Sequence, residues 1–257
     1  MANKDSVTYT VTVAFLLCLV CSAIVSTAAV SLRPAQEKNK SLDFKSNILA
    51  AAGLLEQGVS VEEQFKQVET KLVELESGNY SDALSIEDYD QRKASKDKDL
   101  STDLPDGEDP AKVGRVEKYG KIYIAKADDG SDILILPVRG YGLWSTLYGF
   151  LALESDYNTV AGLGFYEHGE TPGLGGEVDN PRWKGLWPGK KVRDENGDLS
   201  ISVIRGSVSA DSEGAEYKID GLSGATLTSQ GVNNLVRFWL GEYGYGPLIK
   251  NLKNGEA

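Results

Sequence analysis

Hydrophobic and polar positions divide the chain into stretches of different period. From Ser6 to Leu32 no charged residue occurs, and "VTYTVTVAFLLCLVCSAIVSTAAVSL" is apolar or small almost throughout. A helix needs about 20 such residues to cross a bilayer. The run predicts a membrane-spanning helix over 9–32, after a short tail at 1–8. A cleaved signal peptide is the rival, since "STAA" resembles a cleavage site. Its apolar core would be only about 7–15 residues long, so length favours an uncleaved anchor.

"LDFKSNILAAAGLLEQGVSVEEQFKQVETKLVEL" follows and reads as two amphipathic helices split near Gly58. Phe65, Val68, Leu72 and Leu75 recur there at helical spacing. Residues 87–112 carry dense mixed charge with Pro105 and Pro110, which predicts a loop or mobile insert. Residues 33–112 are thus read as a helical segment and charged loop leading into a domain at 113–257.

From Gly120 the period changes to two. "GKIYIAKA", a turn at "DDGSD", "ILILPVRG", "LYGFLALES" and "TVAGLGFYE" predict successive strands. Asn196-Gly197 signals a hairpin before "DLSISVIRG", and "AEYKID" is a last short strand. Near Thr226 the helical period returns, with Val232, Leu235, Val236, Trp239 and Leu240 on one face. Gly231 weakens that helix by about 1 kcal/mol relative to alanine. Gly241 is expected to stop it and Pro247 to forbid resumption. The order predicts an α+β fold: one transmembrane helix, then an antiparallel sheet with packed helices.

Composition narrows the function. With 257 residues, 41% hydrophobic and 25% charged, the chain can fold one substantial domain or two small ones. A net charge of −11 excludes a nucleic-acid partner, because phosphates would be repelled. The two cysteines, Cys18 and Cys21, fall inside the apolar run and share a helical face. They read as small hydrophobes rather than metal ligands. Outside that run there is no cysteine for a disulfide or a thiolate-bound cluster, and no metal site is expected. Lys4 precedes the span while Arg33, Lys38, Lys40 and Lys45 follow it. Counted alone, those cations would put the larger part of the chain inside.

The chemistry concentrates at "DGLSGATLTSQG", residues 220–231, where small residues and hydroxyls crowd the mouth of a helix. Glycines admit a bulky ligand to the backbone, and free helical amides favour an anion. The stretch lacks the G-K-[ST] ending of a nucleotide P-loop, the G-x-G-x-x-G spacing of a dinucleotide fold and the G-x-S-x-G of a hydrolase elbow. His168 is the sole histidine and reads as a loop residue rather than a proton donor. What is left is an anion site with Thr226 at its point of closest approach. Ser223, Thr228 and Ser229 are rival hydroxyls, and on these residues alone a simple N-cap is the preferred reading of Thr226. The bland reading of the whole chain is a membrane-anchored adaptor without a cofactor.

Asp220-Gly221-Leu222-Ser223-Gly224-Ala225-Thr226 resembles the flavinylation motif of the FMN-binding domain family, D-G-x-S/T-G-A-T, at every position. That resemblance implies one covalent FMN per chain, moved from FAD by a flavin transferase and held as a phosphoester of Thr226. Ser223 and the amides of Gly224 and Ala225 would meet the phosphate, and Asp220 would assist the transfer or fix the loop. "GYGLWST" (140–146) and "HGETPGLGG" (168–176) resemble further signatures of the family. Trp144 and Leu174 would then lie on the flavin ring. Thr171, Gly173 and the loop amides would bond its polar edge, and Glu170 would join them or orient the loop. Without the resemblance, Pro172-Gly173 is a favoured type II turn and nothing more.

Domains of this family occur in the Na⁺-translocating NADH:quinone reductases and in Rnf electron-transport complexes. Similarity to the C subunits of the quinone reductases extends over "KSNILAAAGL", "RGYGLWS", "NPRWKGLWPGK" and the anchor, whereas Rnf G subunits lack the early helical part. The resemblance implies an electron carrier with no catalytic residues of its own, within an assembly of six subunits whose other members are A, B, D, E and F. It implies contact with lipid through 9–32 and a place in the bacterial inner membrane. It also puts the flavin domain on the periplasmic side, against the cation count.

Overall fold

A computed structural model describes residues 6–127, 129–209 and 211–256. Two compact units divide after Phe44. From Val7 on, the first belongs to helix α1 (Val7–Ala51). Its apolar side chains from Val7 to Leu32 stand exposed, and α1 is the one helix among the described residues long and apolar enough to cross a membrane. Thr12 and Thr27 donate their hydroxyls to the carbonyls of Thr8 and Ala23, each at 2.8 Å. Such internal bonds satisfy polar groups where no water is at hand.

In the second unit, Ile48, Leu49 and Ala51 at the end of α1 are buried. A short helix α2 (Val61–Phe65) follows, capped by Ser60. Then come β1 (Glu69–Glu74), β2 (Asn79–Tyr80), α3 (Gln91–Ala94), β3 (Ser101–Asp103) and β4 (Arg115–Glu117). The long strands are β5 (Tyr119–Lys126), β6 (Asp132–Tyr141), β7 (Thr146–Leu153) and β8 (Val160–Glu167). A 3₁₀ turn (Gly175–Asp179), α4 (Pro181–Lys184), β9 (Ser202–Val203), β10 (Lys218–Ile219), α5 (Thr226–Trp239) and α6 (Gly246–Asn254) complete the chain.

One six-stranded sheet, ordered β2-β1-β5-β6-β7-β8, is antiparallel throughout. Pro137 sits inside β6, where a missing N–H would break a ladder. Pairing with β5 ends at Ile135 on that side, while pairing with β7 continues past Pro137. Helix α5 packs across β6, and the Trp239 indole N–H donates to the Arg139 carbonyl at 2.6 Å. The core on that side joins Leu136, Val138 and Leu147 to Val232, Leu235 and Val236. The α+β layout and the strands β5 to β8 stand as the alternation predicts.

Four expectations are corrected. The second amphipathic helix is short, and Glu69–Glu74 is a strand paired with β5. Leu72 and Val73 are both buried, as neighbours in a strand covered on two faces can be. Residues 87–112 are no free insert. The Tyr89 hydroxyl donates to the Tyr119 carbonyl at 2.5 Å, and Gln91 reaches Glu117 at 2.6 Å. The Asn196-Gly197 turn forms with Gly197 at φ +88° and closes the expected hairpin, Arg193 bridging Leu199 antiparallel, but the hairpin is shorter than expected because the strand beyond it pairs parallel with β10. Pro247 does not forbid a helix; it occupies the first turn of α6, where the absent N–H has no partner to lose.

Candidate functional site

The 220–231 stretch is a strand-to-helix turn held from within. The Asp220 carboxylate accepts the Val208 amide at 2.8 Å, and its carbonyl accepts the Trp183 indole N–H at 2.8 Å. Gly224 takes a left-handed φ of +73°, which lets the chain reverse into the helix. The Ala225 amide donates to the Leu222 carbonyl at 3.1 Å and is thereby committed to the turn. That bond competes with the phosphate contact expected of the same amide. Ala225 is the N-cap and offers no side-chain cap, so Thr226 is the first helical residue rather than the cap.

The first intrahelical bond runs from the Ser229 amide to the Ala225 carbonyl at 3.0 Å. The amides of Thr226, Leu227 and Thr228 precede it, in the turn where helical N–H groups have no helical acceptor. The four hydroxyls separate cleanly. Thr228 is fully buried and donates to Glu170 at 2.7 Å. Ser229 is buried, accepts the Leu222 amide at 2.8 Å and donates to the Ala225 carbonyl at 3.0 Å. Ser223 and Thr226 are exposed.

Two loops meet this helix start. In the 168–176 loop the Leu174 amide donates to the Thr171 carbonyl at 3.1 Å, with Gly173 at φ +76°. That is the type II turn expected of Pro172-Gly173. It leaves Thr171 and Gly173 exposed and Leu174 46% exposed. A Cβ on Gly224 would lie 3.3 Å from Leu174 Cδ2, so Leu174 borders the motif directly. The 142–145 loop carries Trp144, 65% exposed. Large apolar side chains left in water beside a glycine turn suit a flat apolar ligand.

Glu170 ties the three segments together. Only 5% exposed, it accepts the amides of Leu143 and Trp144 at 3.0 Å and of Ser145 at 3.3 Å on Oε1, and the Thr228 hydroxyl on Oε2. Burial pushes its carboxyl pKa upward, but these four donors outweigh burial and hold it below the usual value. These bonds suit the loop-orienting role expected of it above. Glycines enclose it. A Cβ on Gly142 would lie 2.6 Å from Oε1, and one on Gly175 would lie 2.5 Å from Thr228 Oγ1. The sequence marks both positions as glycine in loops but not what they surround.

His168 gains a partner that the sequence hides. Its Nδ1 accepts the Glu170 amide at 3.2 Å, so Nε2 carries the proton and donates to Asp179 at 2.7 Å. Among the described residues no cluster of metal-ligating side chains occurs.

The donor set fits FMN: an exposed hydroxyl, helical amides with no acceptor among the described residues for a phosphate, and two apolar side chains for a ring. Comparison with known proteins agrees. Residues 142–241 match the FMN-binding domain family. The relatives that cover its full length define the group more narrowly. The C subunit of the Na(+)-translocating NADH-quinone reductase from Pseudomonas aeruginosa is 54% identical over 261 residues, covering 100% of both chains. Its counterpart from Vibrio anguillarum is 48% identical over 99% of this chain and 98% of its own. The crystal structure of NqrC from Shewanella oneidensis superposes with a TM-score of 0.75 at 33% identity, covering 82% of this chain and 97% of that one. The chain is a member of the family of Na⁺-translocating NADH-quinone reductase C subunits.

Proposed function

We propose that the chain is a membrane-anchored electron-carrier subunit of a Na⁺-translocating NADH:quinone reductase, with one FMN joined through a phosphoester to Thr226. The carrying observation is the sorting of hydroxyls at 223–229: Thr226 is exposed at the first position of α5, while Thr228 and Ser229 are buried and bonded. The names of full-length relatives support the same complex. When bound, FMN supplies one-electron transfer chemistry. The protein's share is to attach, orient and enclose. The amides of Thr226 and Leu227 meet the phosphate at the positive end of the helix, which favours an anion by about 0.3–1 kcal/mol. Ser223 and the Gly224 amide border the same phosphate. Trp144 and Leu174 would hold the ring, and Thr171 and the Gly173 turn would bond its polar edge.

The remaining assignments follow from this reading. A flavin transferase acts on Thr226 during maturation, with Asp220 fixing the turn it must approach. Residues 9–32 contact lipid in the bacterial inner membrane, and the flavin domain faces the periplasm. The chain works with the other five subunits, which supply the NADH, quinone and ion sites; from Ser6 to Leu32 it offers no charged side chain for an ion path. The test is mass spectrometry of the 220–231 peptide from full-length protein made together with a flavin transferase. An FMN adduct on Thr226, lost with the in-gel fluorescence in Thr226→Ala and kept in Ser223→Ala, is expected. An unmodified peptide would leave an anchored adaptor, and an adduct on Ser223 would move the attachment.

A further inference from the structure

Glu170 is a buried carboxylate whose four donors are all neutral. Three are consecutive amides, at Leu143, Trp144 and Ser145, and the fourth is the Thr228 hydroxyl. Consecutive amides turned to one point form a nest that holds an anion. No ion pair with Glu170 occurs among the described residues. The charge therefore stays local, and burial leaves little water to screen it. Its neighbours in the fold are the residues assigned above to the ring: Trp144 stands on the nest and Leu174 on the same loop as Glu170. Thr228 lies two positions beyond Thr226, so the same carboxylate also grips the helix that carries the attachment point.

We propose that Glu170 is a positioning residue with an electrostatic effect: its carboxylate locks the 142–145 loop to α5 and lowers the reduction potential of the flavin carried there. A fixed negative charge beside a redox centre disfavours the added electron. The potential part rests on the flavin reading above; the locking part does not. Bonds to a carboxylate are the strong kind, so losing the acceptor frees the three loop amides together. Gly142 and Gly175 fit the same role, since a side chain at either would displace the carboxylate or its Thr228 partner.

Two substitutions separate shape from charge. Glu170→Gln keeps an acceptor oxygen for the nest and removes the charge, while its NH₂ now donates to the Thr228 oxygen and reverses that one bond. Glu170→Ala removes both. Full-length protein in detergent, made with and without a flavin transferase, is read by spectroelectrochemical titration and by amide hydrogen exchange. Expected are a higher flavin potential in Glu170→Gln at equal loading, near-native exchange at 143–145 in that variant, and exchange faster by about tenfold or more in Glu170→Ala. An unchanged potential in a fully loaded Glu170→Gln protein overturns the electrostatic role. Unchanged exchange at 143–145 in Glu170→Ala overturns the locking role. Absence of flavin from the unmutated protein rejects the proposed function instead, and the exchange measurement on that same sample still reads the lock.

Discussion

Gly231 of α5 lies against Tyr141 at the end of β6: a Cβ on Gly231 would come within 2.5 Å of the Tyr141 carbonyl oxygen and 2.9 Å of Gly142 Cα. Helix and strand approach closely enough that only hydrogen fits between them. The contact sets the height of α5 over the 142–145 loop. A mid-helix glycine that looks like a weakness of about 1 kcal/mol is thus a packing requirement.

Gly231→Ala therefore destabilises the protein despite its better helix propensity. Overpacking of this kind costs about 1–3 kcal/mol. Thermal unfolding of the full chain should show a lower midpoint and, on the flavin reading, weaker loading. A gain of about 1 kcal/mol would mean that helix and strand separate without penalty.

Ser229→Ala tests the supporting half of the motif. It strands the buried Leu222 amide, an effect worth about 1–3 kcal/mol. Denaturant titration should report that loss, while the adduct on Thr226 persists in the folded fraction. Loss of the adduct at full stability would instead make Ser229 a participant in attachment.

A second polar centre joins β4 to β6. The Glu117 side chain is fully buried and bonds Arg139 at 2.8 Å and Gln91 at 2.6 Å. Breaking such a pair leaves an uncompensated buried charge, so Glu117→Ala should lose about 3–5 kcal/mol in chemical denaturation. Replacing the pair together, Glu117→Leu with Arg139→Met, should recover much of it. A single variant as stable as the parent would mean that water reaches Arg139.

Acid sensitivity has an identifiable source in Asp156. Burial raises its pKa, but bonds from the Thr159 hydroxyl, the Asn158 and Thr159 amides and Lys191 prevail and hold it at about 2. A folded pKa below the unfolded value of about 3.9 gives stability that is present above that value and fades as pH falls towards 2. Asp156→Asn should lower the unfolding midpoint at pH 7, and its deficit should shrink between about pH 4 and pH 2. A deficit constant over that range would place the acid response elsewhere.

Much of the fold is legible in the chain because its cause is local. Period two over "ILILPVRG" and "LYGFLALES" foretells β6 and β7, and the helical stripe from Val232 to Leu240 foretells α5. The uncharged run to Leu32 gives the one membrane-length helix among the described residues. The heptapeptide points to Thr226 before any geometry is known.

Other features depend on what a distant segment brings. Leu72 and Leu75 fit a helical stripe equally well, but the edge of β5 offers unpaired backbone groups and makes Glu69–Glu74 a strand. Four hydroxyls at 223–229 are alike in sequence; a carboxylate 58 residues away from Thr228 decides which is buried. Glu170 itself reads as a loop acid, and only the folded chain turns three amides and a hydroxyl onto it. The sequence by itself determined the period and end signals of each element, because these express a segment's own backbone and side chains. Tertiary structure alone decided which polar groups meet, because a donor's partner is chosen by chain closure across the sheet and not by its neighbours.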